Sequence, residues 1–113
     1  MEEKKKRLGD LYPEMNNLLL YFLADGYLPI EEQDDLKTIQ RFVSLFNTVT
    51  ITTALKEGKE ILTLDPFPWE WICDTANRYP FSGQDYDSKE GYFHWLGWIL
   101  LTLEAEAKKA GKL

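Results

Sequence analysis

The segment KEGYFHWLGWILLTLEAEAKKA, residues 89–110, decides the fold. Its apolar residues recur every three or four positions, and this period predicts one long α-helix from Lys89 to Ala110. Glu90 lies in the first turn and Lys108 and Lys109 lie in the last, where each charge opposes the partial charge of its helix end. The side expected to face a core consists of Tyr92, Leu96, Ile99, Leu103 and Ala107.

The opposite side of this helix is too apolar for an ordinary surface, which is normally polar. It carries His94, Gly97, Trp98, Leu101 and Ala105. Three explanations stay open: neighbouring segments cover this side, a second copy binds it to form a homodimer, or a different protein binds it. Because Trp is enriched at binding hot spots, we take these five residues as a candidate protein interface.

Three earlier segments also show helical features. Residues Asn16 to Asp25 are apolar on nearly every side, which predicts a central helix buried all round. A second helix is expected to begin near Glu31, where acids gather, and to continue through Leu36, Ile39, Val43 and Phe46. A third runs from Trp69 to Tyr79, after a break at Asp65-Pro66-Phe67-Pro68.

Residues 48–64 admit two interpretations. The run Thr48 to Thr53 is β-branched and alternating, and Glu57-Gly58 is a suitable turn, so a short β-hairpin within 48–64 is one prediction. The other continues the second helix through Thr53, Ala54 and Leu55 until Gly58 stops it. We favour the helix, because an isolated two-stranded hairpin is only marginally stable.

These segments together predict a mainly α fold, a compact antiparallel bundle of four or five helices. The 113 residues fit one helical domain, residues 1–113, and the 44% of hydrophobic residues can fill its core. Residues 1–10, which include the run Lys4-Lys5-Lys6-Arg7, are expected to form a flexible charged arm.

The composition argues against several classes of partner. The net charge of -6 does not suit the binding of nucleic-acid phosphates, which needs clustered Lys and Arg. No membrane contact is expected, because the longest apolar runs are shorter than the roughly 20 residues of a membrane span. Cys73 is the only cysteine and has no partner for an internal disulfide, and the N-terminus does not resemble a signal peptide. We therefore expect a cytoplasmic protein.

Only one set of residues suggests catalysis. Glu31 and Asp35 are four residues apart, as are Glu70 and Asp74, and two such pairs facing each other could bind magnesium. This arrangement resembles, in a generic way, that of the all-α nucleotide pyrophosphohydrolases. Acids at helix starts are also expected from the helix dipole alone.

No sequence motif indicates a cofactor, and no soft-ligand metal site is expected from one Cys and one His. We therefore expect a small acidic, non-enzymatic interaction protein of an inhibitor, immunity or regulatory type, with another protein or itself as its partner. The alternative is a magnesium-dependent, all-α nucleotide pyrophosphohydrolase-like enzyme.

Overall fold

The long C-terminal helix is present and faces the core as predicted. The structure, a computed structural model, describes residues 2–77 and 89–113. This helix, α6, spans Lys89–Lys109, and all five residues of its predicted core side are fully buried. Gly111, with φ of +73°, ends the helical path in a conformation that favours glycine.

The described residues are mainly helical and contain no β-strand. The radius of gyration of 13.3 Å is that of a compact chain of this length. They form six α-helices rather than four or five. The number is higher because residues 2–10 are helical and because residues 35–62 form two separate helices. The helices are α1 (Glu2–Leu11), α2 (Pro13–Asp25), α3 (Asp35–Leu45), α4 (Thr48–Leu62), α5 (Trp69–Ala76) and α6, with a 3-10 turn at Ile30–Glu32.

The hairpin predicted within 48–64 is wrong, and the helical character of this region is confirmed. The helix is not a continuation of the preceding one, however, because α3 ends at Leu45 and α4 begins at Thr48. The Asn47 side chain accepts a hydrogen bond from the Thr50 N–H at 3.0 Å and so caps the start of α4. The β-branched run then follows a helical pattern, because Ile51 and Ala54 are fully buried on one side of it. Gly58 does not stop the helix, which continues to Leu62.

Gly58 instead lies where α4 approaches α6 closely. A Cβ atom added at Gly58 would come within 2.3 Å of Leu100 Cδ2 and 3.0 Å of Leu100 Cδ1. Both residues are buried. Glycine at position 58 costs conformational entropy, but its lack of a side chain allows the two core helices to pack closely.

The helix α2 packs against α1, α3, α4 and α5, so its central position is confirmed. It is not buried all round, however, because Leu20 is 42% exposed on the side away from the core. Residues 2–10, for which we expected an arm, have a helical backbone within α1, and α1 packs against α2.

The second predicted helix begins at Asp35 rather than near Glu31. Asp34 accepts a hydrogen bond from the Lys37 N–H at 3.1 Å and so fixes the start of α3, while Glu31 lies in the preceding 3-10 turn. The helix α5 ends at Ala76, and the end predicted at Tyr79 lies outside the described residues.

Two long-range contacts tie helix ends to distant parts of the chain. Glu57, in the middle of α4, accepts hydrogen bonds from the backbone N–H groups of Glu14 and Met15, both at 2.9 Å. Lys112, just beyond α6, donates through Nζ to the carbonyl oxygen of Phe46 at 2.8 Å and to that of Ser44 at 3.3 Å. These side chains cap the start of α2 and the end of α3.

Candidate functional site

The five residues predicted as a protein interface lie together on the side of α6 that points away from the core. We call this set, His94, Gly97, Trp98, Leu101 and Ala105, the back face. His94 and Ala105 are exposed, and Gly97 and Trp98 are half-buried. Leu101 is 71% exposed, although a leucine on a helix usually faces the core. The fold itself therefore leaves much of the back face open.

Nothing in the described part of the chain packs closely against Gly97. A Cβ atom added there would meet no atom of residues 2–77 or 89–113 within 4 Å, whereas one at Gly58 would collide with Leu100. Glycine in the interior of a helix costs roughly 0.5–1 kcal/mol relative to alanine. The sequence thus keeps a destabilising residue at an open point in the middle of α6.

Trp98 forms one flank of the back face. Its side chain is half-buried and packs against the edge of the core, so one part of the indole is fixed and another part remains accessible. A partly fixed Trp loses little side-chain entropy when a partner covers the rest of it, which is a property of binding hot spots.

The back face has a charged residue at each end, and the half-buried Glu104 lies along one edge of it. Glu90 and Lys108 are both exposed. They are eighteen residues apart, which makes five whole turns of about 3.6 residues, so they lie on one line along α6. Leu101 lies between them near the same line. The surface is therefore an apolar stripe with an acidic end and a basic end, and Glu104 flanks it on one side.

The four carboxylates of the enzyme alternative have different surroundings. Asp35 accepts a hydrogen bond from the buried Trp95 indole, with Nε1 and Oδ2 3.1 Å apart, whereas Glu31, Glu70 and Asp74 are exposed. Within residues 2–77 and 89–113, no group of three His, Cys, Asp or Glu side chains is arranged to hold a metal ion. Neither Glu31 with Asp35 nor Glu70 with Asp74 becomes part of such a group.

Several acids between residues 25 and 35 support the fold. Asp25 is only 3% exposed and accepts a hydrogen bond from the Asp34 N–H at 3.2 Å. Asp34 caps α3, and Asp35 binds the Trp95 indole. The acidic character of this region is thus explained in part by caps and buried acceptors, as expected where acids precede a helix.

Glu57 is a buried acid that sequence analysis missed. It is 9% exposed, and burial raises the pKa of its carboxyl above the ordinary value, against the opposing effect of the N–H groups of Met15 and Glu14. Its position in the middle of α4 gave no sign of this contact, because the helix that it caps lies more than forty residues earlier.

An open groove beside the back face was also missed. It has a volume of about 570 Å³ and lies between α4 and the C-terminal part of the chain. Its walls combine two lysines, two glutamates and apolar carbon, so they show no preference for one sign of charge. The principal lining residues are Leu55, Lys56, Lys59, Glu60, Glu104 and Leu113.

Two further findings bear on the class of protein. Among the helices of the described residues, none combines the length and apolar character that crossing a bilayer requires. The chain matches no protein-family model, and neither a similar curated protein nor a similar solved structure was found.

Proposed function

We propose that this chain is a small acidic interaction protein, non-enzymatic and of an inhibitor, immunity or regulatory type, and that it acts through protein contacts made by the back face of α6. We place it in the cytoplasm, where its single cysteine would stay reduced, and we propose an antiparallel bundle as the arrangement of its helices.

The observation that carries the proposal is the exposure of the back face together with its glycine. Leu101 is 71% exposed beside the half-buried Trp98, so apolar area remains for a partner to cover. Gly97 lowers the stability of the free chain, but it lets another backbone approach α6 closely. A binding role accounts for both features together.

Site-specific photocrosslinking tests this proposal. A benzophenone amino acid replaces Leu101 in one variant and Leu11 in another, and both variants are irradiated in the cells that make the protein. Leu11 is a matched control, because it is a leucine that is 58% exposed on α1, which packs against α2.

We expect covalent adducts to a protein from position 101 and few or none from position 11. An adduct of twice the 13.2 kDa chain identifies a second copy, and any other mass identifies a different partner. Equal labelling from both positions, or no protein adduct from position 101, would contradict the proposal. Stabilisation of the purified protein by magnesium and a nucleotide, abolished by Asp35→Asn, would favour the enzyme instead.

A further inference from the structure

We propose that the partner of the back face is a second copy of this chain, with two α6 helices packed antiparallel around a twofold axis that passes between them at the level of Ile99. This inference rests on the proposed function and names its partner. Two independent features of α6, its shape and its charge, place the axis at the same residue.

The first feature is the shape of the back face. Leu101 is exposed to solvent, and Gly97, one turn earlier on nearly the same side, leaves a gap in which no described residue has an atom within 4 Å of a Cβ position. In an antiparallel pair, Leu101 of each copy fills the gap at Gly97 of the other when the two helices cross midway between these residues. The midpoint of positions 97 and 101 is Ile99.

The second feature is the pair of charges at the ends of the stripe. The midpoint of Glu90 and Lys108 is also Ile99, and the two residues lie on one line along the helix. The register that fits Leu101 against Gly97 therefore also puts Glu90 of each copy beside Lys108 of the other, twice in the dimer. A parallel pair would instead put like charges together, which opposes association.

The same register puts the two Trp98 side chains on one side of the pair and next to the twofold axis. Each indole is already held on one face by its own core, so the partner helix covers the remaining part. The contact is isologous, since the same surface is used by both copies, and it closes at two chains.

The dimer should be a weak one. A contact through one helix of each copy is expected to bury less than the roughly 800 Å² per partner of a standard stable interface, and interfaces of that smaller size are typically transient.

Charge reversal gives the sharpest test. In Glu90→Lys, both intermolecular pairs become Lys beside Lys, and in Lys108→Glu both become Glu beside Glu. We expect each variant alone to dimerise about tenfold or more weakly than the unmodified protein. An equimolar mixture of the two variants should recover the original affinity, because every pair between unlike chains is again Lys beside Glu.

Sedimentation velocity measures the mass in each solution, and circular dichroism checks that α6 remains helical in both variants. Each substitution also opposes the helix dipole, but a loss of helix stability cannot be reversed by mixing two weakened chains. Recovery in the mixture therefore supports the antiparallel register specifically.

Two results would overturn this inference. If the unmodified protein remains at 13.2 kDa at all concentrations, the partner is not a second copy, and a crosslink from position 101 to another protein would still uphold the proposed function. If the protein dimerises and neither variant changes the affinity, or the mixture does not recover it, this register is wrong. The absence of any adduct from position 101 would remove the proposed function as well.

Discussion

Glu57 is the acceptor on which the start of α2 depends, so Glu57→Ala should weaken the whole fold. A helix cap contributes about 1–2 kcal/mol, and a buried N–H left without an acceptor, here that of Met15, costs about 1–3 kcal/mol. The two effects overlap, so we expect the free energy of unfolding to fall by about 2–3 kcal/mol. For a domain of this size the melting temperature should fall by about 8–12 °C.

The pH dependence of stability distinguishes the role of the Glu57 carboxyl as a hydrogen-bond acceptor from the effect of its ionisation. Because burial raises the pKa of Glu57, the folded state holds the proton more tightly than the unfolded state does. The stability gained in this way is fully present below the ordinary pKa of 4.5 and is lost as the pH rises through the folded pKa. Glu57→Gln keeps a carbonyl acceptor and does not ionise, so it should lose less stability than the unmodified protein over this pH window.

Urea denaturation followed by circular dichroism, repeated from below pH 4.5 to neutral pH, measures both effects. The unmodified protein, Glu57→Ala and Glu57→Gln are compared at each pH. A cost of less than about 0.5 kcal/mol for Glu57→Ala, which is the ordinary range of a surface change, would contradict the capping role of Glu57. The same pH dependence in Glu57→Gln and the unmodified protein would contradict the raised pKa of the Glu57 carboxyl.

Three further substitutions test the packing by thermal and urea denaturation of the dilute protein. Gly58→Ala should destabilise by about 1–2 kcal/mol, because the collision with Leu100 outweighs the better helix propensity of alanine, and an increase in stability would contradict the close approach of α4 and α6. The same change at Gly97 should stabilise by about 0.5–1 kcal/mol, since the new methyl group meets no atom of the described residues, and a loss of stability would mean that Gly97 is covered within the chain. Lys112→Met should cost about 1 kcal/mol through the lost cap of α3, whereas an unchanged melting temperature would show that this cap contributes nothing.

The best-predicted elements are those whose spacing of apolar residues can be recognised within a single segment of the sequence. All five predicted core residues of α6 are buried, because a 21-residue helix has room for a clear apolar side. The region 48–64 was ambiguous because β-branched residues favour strands locally, and the packing of Ile51 and Ala54 overrides that preference.

Contacts between distant segments were not predictable from the sequence. Gly58 resembled a helix stop, and only the approach of Leu100 explains a glycine inside α4. Glu57 and Lys112 cap helices far away in the chain, a role that has no local pattern. The back face could be predicted as an apolar side of α6, but whether neighbours covered Leu101 depended on the packing of the other helices.

The central claim is that the back face of α6 binds protein, and that its partner is a second copy. Sedimentation equilibrium of the unmodified protein, Leu101→Asp and Leu11→Asp, from about 10 µM to 1 mM, tests it most directly. We predict that the unmodified protein and Leu11→Asp approach the mass of two 13.2 kDa chains as the concentration rises, while Leu101→Asp stays at the mass of one. Three identical mass profiles, whether of one chain or of two, would contradict the claim.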